Sequence, residues 1–396
     1  MDIVYAGEDM PAKVTKSIFL AGPTPRNRTE VESWRPDALQ ILNDIGYDGV
    51  VFVPELRQAK AGHDYDTQVE WEEKYLNVAD CIVFWVPRDL SHDTNDYPKM
   101  AALTTNVEWG AWNDSGKVVL GAPPDADRIG YLKYYAKKYN VPVADTLTTT
   151  LRNAIELIGD GAERVDGGRF VPMYLWKQPS FQVWYKAQTA AGNRLEDAQV
   201  LYTFRPGYKN FLFLWVLKVN VWVESEQRFK SNEFVLSRPD ISSILLWHDT
   251  PDNQGSCLEY EVVIVKEFRS PSSSEDGFVR ELPGGSSFKP GEDPLQIASE
   301  EVHEETGLEI DPSRFKLVTN RQLAATLSAH QSHLFKVQLT AEEVQWFKDQ
   351  KGIVHGNIAD SEMTFIEVHT VYDLINNKEL GLDWTTLGQI LSVLAF

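Results

Sequence analysis

Between Ser17 and Gly159, short apolar runs alternate with segments of helical periodicity. The runs SIFLAGP, GVVFVPEL, CIVFWVP and KVVLGAP show no apolar–polar alternation. Strands of this kind are buried on both faces, and strands separated by helices usually pair in parallel. The alternation therefore predicts an α/β domain built on a doubly wound parallel sheet. The first of its helices is expected at residues 29–43.

The alternation ends at IGDGAERVDGGRF, a stretch rich in glycine and charge, which favours a domain boundary there. An aromatic-rich connector follows, with a helix expected at 181–191, and we interpret its aromatic residues as packing residues. Strands then dominate, with a few helices, which predicts an α+β domain. The predicted organisation is a first domain at 1–160, a connector at 161–210 and a second domain at 211–396.

Charge and cysteine content limit the expected partners and setting. The 396 residues include 38 basic and 58 acidic side chains, a net charge of -20, which argues against broad binding to nucleic acid or an anionic membrane. Cys81 and Cys257 fit neither a disulfide framework nor a zinc cluster, and a cytoplasmic setting is expected. No signal peptide and no run of 18 apolar residues is evident. Small-molecule ligands are the expected partners.

One segment of the second domain, GGSSFKPGEDPLQIASEEVHEETGL at 284–308, has clear helix boundaries. Asp293 can cap a helix whose first residue is proline, and Gly307 is placed to end it in the left-handed conformation. These signals predict a helix over 294–306. The apolar side of this helix is formed by Leu295, Ala298 and Val302.

A second side of the same helix carries Glu301, Glu304 and Glu305, at spacings of three and four residues. Carboxylates at this spacing repel each other, and a hard divalent cation such as Mg²⁺ or Mn²⁺ would compensate their charge. The glycines before the helix would let a substrate approach the backbone closely. The alternative is a solvated acidic helix face without a ligand.

The segment resembles the Nudix box, G-x5-E-x7-R-E-U-x-E-E-x-G-U, in which U is a bulky aliphatic residue. Six residues rather than five separate Gly285 from Glu292, and Glu300 stands in place of the arginine. The resemblance implies a Nudix hydrolase fold for the second domain and a catalytic contribution from Glu304. It also implies that Mg²⁺ (or Mn²⁺) is bound by Glu301, Glu304 and Glu305.

The flanking sequence VVIVKEFR, followed by ELPGG, is similar to the ADP-ribose pyrophosphatase branch of that family. This resemblance places Arg269, Glu281 and Gly285 near the substrate. GNIADSEMTFIEVHTV resembles the late loop of the branch, and Glu362 matches its catalytic carboxylate. Glu362 would then orient or deprotonate the attacking water. Its alternative is an ordinary loop acid. The implied reaction is cleavage of the diphosphate of ADP-ribose or a similar compound.

The first domain carries a second resemblance. SIFLAGPTPR, WEEKYLNVADCIVFW and TTNVEWGAWNDSGKVVLGAP are similar to the nucleoside 2-deoxyribosyltransferase-like family, over about residues 15–145. Glu108 matches the glutamate that attacks the anomeric carbon of a nucleoside or nucleotide, and Glu72 matches the acid that handles the base. Phe19 replaces a tyrosine of the family, and AALTTN replaces its D-x-G segment.

We expect Glu108 to lie near a helix N-terminus, where the amide dipoles would keep its carboxylate ionised and nucleophilic. Asp80 opens a strand and is expected to orient its neighbours in the substrate site. Gly22 and Pro23 end the first strand, where a parallel sheet forms its ligand crevice. The alternative is that Glu108 only caps a helix, and that the domain binds a ligand without cleaving it.

Together these features predict a two-domain enzyme of nucleotide metabolism. The leading hypothesis gives the second domain a Nudix diphosphate hydrolase activity and lets the first act on, or bind, an N-glycosidic bond. In one alternative the glycosidic reaction is the main activity and Glu300 impairs the Nudix domain. In another the protein senses nucleotides without catalysis. Proteins that resemble either domain often form dimers, so the sequence is compatible with a homodimer.

Overall fold

The computed structural model describes residues 1–25, 27, 30–57, 64–206, 211–249, 256–286, 291–357 and 362–394. The chain forms two compact units, Met1–Leu236 and Ser237–Phe396. Both predicted boundaries, at 160 and 210, therefore fall inside the first unit.

The first unit contains thirteen strands and seven helices among its described residues. The strands are β1 (Asp2–Tyr5), β2 (Lys13–Val14), β3 (Ser17–Ala21), β4 (Val50–Val53), β5 (Cys81–Trp85), β6 (Asp89–His92), β7 (Pro98–Met100), β8 (Val118–Gly121), β9 (Val143–Ala144), β10 (Arg164–Val165), β11 (Arg194–Phe204), β12 (Leu214–Val223) and β13 (Arg228–Ser237). The helices are α1 (Arg35–Asp44), α2 (Tyr65–Val78), α3 (Leu103–Trp112), α4 (Gly130–Lys138), α5 (Leu147–Ile158), α6 (Met173–Trp176) and α7 (Pro179–Ala190).

Six of these strands form one parallel sheet in the order β1-β4-β3-β5-β8-β9. Ile18 and Leu20 of β3 pack with α1 and α5 on one face, whereas Phe19 and Ala21 pack with α2, α3 and α4 on the other. Helices thus cover both faces, which confirms the predicted doubly wound sheet. Helix α1 begins at Arg35, later than the predicted residue 29, which lies outside the described residues.

The predicted connector is not a separate segment in the structure. It contains α6, α7 and β11, and β11 pairs along its length with β12 in a three-stranded antiparallel sheet. Trp215 and Leu217 of β12 share a core with Phe181 of α7 and Val171. Because strand pairing and core packing both cross residue 210, the first unit extends to residue 236.

The second unit contains eight strands and four helices among its described residues. The strands are β14 (Ile241–His248), β15 (Glu261–Phe268), β16 (Phe278–Glu281), β17 (Gly284–Gly285), β18 (Lys316–Gln322), β19 (Gln331–Gln338), β20 (Val354–His355) and β21 (Thr364–Thr370). The helices are α8 (Pro294–Thr306), α9 (Ala341–Asp349), α10 (Val371–Asn376) and α11 (Trp384–Leu394).

These strands form a mixed sheet with the main order β18-β19-β14-β15-β21-β20, in which β14 and β19 are parallel. Ile244 and Leu246 pack with α8 and α9 on one face, while Leu245 packs with α10 and α11 on the other. Helix α8 has the predicted bounds: Asp293 accepts a hydrogen bond from an N–H of the first turn, and Gly307 is left-handed at φ 77°. The unit has the predicted α+β character.

None of the helices in the described part of the chain is long and apolar enough to cross a membrane.

Candidate functional site

The carboxyl edge of the parallel sheet begins with a tight turn after β3. Gly22 has φ 153°, and a β-carbon there would lie 2.2 Å from the backbone oxygen of Trp85, so only glycine fits without a shift. The indole N–H of Trp34 donates to the carbonyl of Pro23 at 3.1 Å. Both predicted turn residues therefore lie at the strand end, where ligands of parallel sheets bind.

A buried arginine from α1 holds this turn in place. Arg35 is only 2% exposed, and its guanidinium donates to the carbonyls of Leu20 at 3.1 Å and Gly22 at 2.8 Å. It also forms an ion pair with Glu55, which follows β4, with an N–O distance of 2.7 Å. The guanidinium therefore fixes the ends of two adjacent strands and places a positive charge at the crevice.

Two glutamates predicted from the sequence lie within electrostatic reach of this arginine. Burial, followed by the negative charge of Glu72, raises the pKa of Glu108 to about 7, and Arg35 opposes the shift. Burial also raises the pKa of Glu72, against a hydrogen bond from Gln68 and the charge of Arg35. Gln68 also donates to the carbonyl of Pro54, which links Glu72 to the end of β4. The fold thus brings the two acids together around one cation.

The structure corrects the expected environment of Glu108. Helix α3 begins at Leu103 after a left-handed Ala102, so Glu108 is its sixth residue and lies beyond the first turn. The amide dipoles of a helix N-terminus act mainly within the first turn. Burial instead favours the protonated form of Glu108.

Asp80 does not lie in this crevice. It precedes β5, at the amino edge of the sheet, and its carboxylate is an ion-pair partner of the guanidinium of Arg164 at 2.5 Å. It also accepts hydrogen bonds from the backbone N–H groups of Ser17 at 2.8 Å and Met173 at 2.7 Å. With both side chains of the ion pair fully buried, Asp80 has a structural role, which corrects its assignment to the substrate site.

Sequence reasoning missed Arg35 and Glu55. An arginine directly before a proline in the first helical turn reads as a surface residue, and Glu55 reads as an ordinary loop acid. Their role depends on a contact between residues 20 positions apart. The signal that could have found them is the pairing of opposite charges at the ends of adjacent predicted strands.

In the second unit, the acidic side of α8 faces Gly284 and Gly285, which we call the glycine loop. Glu305 is buried and accepts a hydrogen bond from the N–H of Gly284 at 2.8 Å. The carboxylate of Glu301 lies beside Gly285, where a β-carbon would come within 2.1 Å of its Oε1 atom. Gly284 and Gly285 are therefore in contact with the acidic side of α8.

The carboxylates of this helix perturb one another. Burial, then the charges of Glu304 and Glu362, raises the pKa of Glu301 to about 7. Burial and Glu301 raise the pKa of Glu305 well above its usual range. Glu304 is exposed to solvent. The fold thus brings Glu362 within electrostatic reach of the helix, although it lies 57 residues after Glu305 in the chain.

Two hydrogen bonds to backbone carbonyls of α8 explain the position of Glu362. The N–H of Gly356 donates to the carbonyl of Glu304 at 3.0 Å, and the hydroxyl of Thr364 donates to the carbonyl of Glu305 at 2.9 Å. These bonds attach β20 and the start of β21 to the last turns of α8.

The arginine predicted from the sequence, Arg269, lies among these acids. The guanidinium of Arg269 is 2.8 Å from the carboxylate of Glu267 and 3.5 Å from that of Glu281. Sequence reasoning named Arg269 and Glu281 but missed Glu267, a buried acid inside a predicted strand. Burial raises the pKa of both glutamates, and Arg269 opposes the shift in each.

The donor chemistry of this cluster suits a hard divalent cation. Its side chains are carboxylates, and the raised pKa values of Glu301 and Glu305 show that their charge is not fully compensated. Within the described ranges, however, no group of three or more His, Cys, Asp or Glu side chains is arranged to hold a metal ion. The residues fit Mg²⁺ or Mn²⁺ by type, while their ligand atoms do not converge in this conformation.

A segment of the first unit is similar to a known family. No curated protein matches the chain. Residues 15–126 match the model of a family described as "Nucleoside 2-deoxyribosyltransferase like", and this segment contains Glu72, Glu108 and the turn at Gly22. Residues 1–14 and the residues from 127 onward lie outside the match. Residues 15–126 of this chain are therefore similar to the nucleoside 2-deoxyribosyltransferase-like family.

Proposed function

We propose that the first unit cleaves the N-glycosidic bond of a nucleoside or nucleotide and passes the sugar to water or to a second base. The observation that carries this proposal is the convergence of Glu72, Glu108 and Arg35 at the carboxyl edge of the sheet. The family match over residues 15–126 supports the same class of substrate.

This reaction needs a nucleophile and a proton donor. Two acids with raised pKa values can take these two roles. Burial raises the pKa of both Glu72 and Glu108, and states of the pair exist in which the two acids hold one proton between them. In the productive state, ionised Glu108 attacks the anomeric carbon while protonated Glu72 donates its proton to the departing base. The C–N bond breaks, and an ester forms between the sugar and Glu108.

The second step reverses the roles. Glu72, now ionised, accepts a proton from water or from an incoming base, which attacks the anomeric carbon and releases Glu108. Arg35 does not react. It holds the strand-end carbonyls and limits the negative charge of the pair.

The test is incubation with purine and pyrimidine nucleosides and their 5′-monophosphates, with products identified by mass. Glu108→Gln is expected to lower base release by at least about a thousandfold, because it removes the nucleophile. Glu304→Gln, in the second unit, is the matched control and should leave base release unchanged. Base release by Glu108→Gln at the parent rate would refute the proposal.

We propose as a second function that the unit from Ser237 onward hydrolyses the diphosphate of ADP-ribose or a similar nucleoside diphosphate derivative. The grouping of Glu301, Glu305 and Glu362 beside the glycine loop supports this candidate. Glu301, Glu304 and Glu305 would hold Mg²⁺ or Mn²⁺. When bound, the cation would neutralise the diphosphate and lower the pKa of a water molecule.

The chain's own residues would bind and orient the substrate. Arg269, paired with Glu267 and Glu281, offers a cation to phosphate oxygens. Gly284 and Gly285 would let the diphosphate approach the backbone. Glu362 would accept a proton from the attacking water.

This candidate is tested with ADP-ribose and related dinucleotides in the presence of Mg²⁺. Glu301→Gln and Glu304→Gln should each reduce the formation of AMP and ribose 5-phosphate from ADP-ribose, and a chelator should abolish it. Glu108→Gln should leave it unchanged. Base release without any phosphate-bond cleavage would favour the glycosidic reaction as the main activity. Tight nucleotide binding without any product would favour a sensor.

A further inference from the structure

Helix α3, which carries Glu108, has an N-terminus without a side-chain cap. The residue before the helix, Ala102, is left-handed at φ 56° and has no polar side chain to accept from the first-turn N–H groups. The first helical residue, Leu103, is exposed, so a ligand can approach this end from solvent. An uncapped helix N-terminus attracts anions but does not by itself define a site.

A buried cation lies beside the same helix end. Arg88 follows β5 at the carboxyl edge of the sheet and is 7% exposed. Its Nη2 atom donates to the side-chain oxygen of Asn106 at 2.5 Å, and its Nη1 atom donates to the carbonyl of Arg128 at 3.1 Å. Its Nε atom has no hydrogen-bond partner among the described residues. The guanidinium therefore retains an unused donor next to α3.

Two further buried polar atoms lie on the inward side of this helix. Thr105 and Trp109 are one turn apart and are 1% and 3% exposed. In the described part of the chain, neither the hydroxyl of Thr105 nor the indole N–H of Trp109 has a hydrogen-bond partner. A buried donor left without a partner costs about 1–3 kcal/mol. Arg88, Thr105 and Trp109 thus each leave one buried polar atom without a partner on or beside this helix, within the described part of the chain.

The surrounding charges favour an anion. Burial lowers the pKa of Arg88, and the charge of Asp127 opposes the shift. The carboxylate of Asp127 already accepts a hydrogen bond from the N–H of Leu90 at 2.8 Å. Glu108 lies on the same helix, between Thr105 and Trp109 in sequence. An anion bound here would therefore lie at the start of the helix that carries Glu108.

We propose that Arg88, Thr105 and the uncapped N-terminus of α3 bind the phosphate monoester of the substrate, which makes the substrate a nucleoside 5′-monophosphate rather than a nucleoside. This inference rests on the proposed glycosidic function of the first unit. A phosphate monoester supplies three acceptor oxygens and no obligatory donor, which matches a site made of a guanidinium, a hydroxyl and backbone N–H groups.

The first test measures binding and needs no catalysis. Ribose 5-phosphate and 2-deoxyribose 5-phosphate have no base to release, and each is titrated calorimetrically into the full chain beside the unphosphorylated sugar. The phosphorylated sugars should bind at least about tenfold more tightly. Thr105→Val, which replaces the hydroxyl by a methyl group, should reduce that preference about tenfold. Thr148→Val, at an exposed threonine in the first turn of α5, is the matched control and should keep that preference.

The second test uses the reaction. The ratio of kcat/KM for a nucleoside 5′-monophosphate to that for the nucleoside should exceed about ten and should fall about tenfold in Thr105→Val. Arg88→Lys keeps the charge without the Nε donor and should also lower the ratio. Equal kcat/KM values for the two substrates, with base release intact, would overturn the phosphate site while leaving the glycosidic function standing.

Free phosphate is the other source of this ligand. If inorganic phosphate accelerated base release from nucleosides and a sugar 1-phosphate accumulated, the site would serve a co-substrate, and the nucleotide assignment would be wrong. Absence of base release from every substrate, with ribose 5-phosphate still bound in a Thr105-dependent manner, would instead refute the glycosidic function and retain the anion site.

Discussion

At the residue scale, burial determines the protonation of the acids in the first unit. Glu108 has a pKa of about 7 because it is removed from water and lies near Glu72, and Arg35 limits the shift. The same burial that prepares Glu108 for a pH-dependent reaction destabilises the folded state whenever it is ionised.

Glu108→Gln should therefore stabilise the protein at alkaline pH. The folded state binds the proton of Glu108 more tightly than the unfolded state, so its contribution to stability is lost as pH rises from 4.5 through about 7. We expect the variant to exceed the parent in free energy of unfolding by about 1–3 kcal/mol at pH 8 and to converge with it near pH 4.5. Urea unfolding at both pH values measures this. The exposed Glu156→Gln should show no such pH-dependent gain.

Arg35→Met should be strongly destabilising. The change leaves Glu55 buried beside an apolar side chain and removes the donors to the carbonyls of Leu20 and Gly22. Breaking a buried ion pair from one side costs about 3–5 kcal/mol. Arg228→Met removes an exposed pair with Glu226 and should change stability by less than about 1 kcal/mol. Similar losses in the two variants by urea unfolding would contradict the assigned role of Arg35.

At the element scale, the ends of helices decide where the functional groups lie. Helix α8 is bounded by Asp293 and Gly307, and its acidic side consequently meets the glycine loop. Helix α3 has no such start signal, and its actual beginning at Leu103 moves Glu108 out of the first turn.

Gly307→Ala tests the C-terminal cap of α8. Gly307 has φ 77°, and a β-carbon there would lie 3.0 Å from the ring of His355. Gly291→Ala is the matched control, because Gly291 has φ 79° and no atom of the described residues lies within 4 Å of a β-carbon built there. Left-handed backbone costs a non-glycine residue about 1–2 kcal/mol, so both variants should lose this amount, and Gly307→Ala should lose more. Equal losses of unfolding free energy in the two variants, measured with urea, would contradict this expectation. They would show that the ring of His355 moves away from the added methyl group without cost.

Elements that depend on residues close together in the chain can be predicted from the sequence. Contacts between residues far apart in the chain cannot. The parallel sheet and α8 follow from apolar runs and cap residues within a few positions of each other. The start of α3 has no polar cap in the AALTTN segment, so its position depends on tertiary packing. The expected place of Asp80 in the substrate site is wrong because its ion-pair partner, Arg164, lies 84 positions away in the chain. The sequence pattern of a strand end does not reveal which of its acids is already paired.

At the scale of the whole molecule, the first unit is larger than the segment with a recognisable family. Its core extends through α7 and the three-stranded sheet of β11, β12 and β13. The second unit has its own sheet and its own core. Each unit therefore has the contacts that an independently folding body requires.

A fragment of residues 1–236 should fold alone, whereas a fragment of residues 1–210 should not. The shorter fragment lacks β12, and it would expose the surface of Leu195 and Phe181 that Trp215 and Leu217 cover. We expect a monodisperse, cooperatively unfolding 1–236 fragment and an aggregating 1–210 fragment. Size-exclusion chromatography and thermal unfolding measure the difference. A well-folded 1–210 fragment would restore the predicted boundary.

The buried pair of Asp80 and Arg164 has a consequence for how this architecture can be inherited. Asp80 lies inside the segment with the family match, but the arginine that neutralises it lies 38 positions beyond the end of that segment. Recombination that transferred only residues 15–126 to another protein would carry a carboxylate into the interior without its counter-ion. The smallest portion of this chain that evolution or an engineer can transplant intact thus reaches at least as far as residue 164.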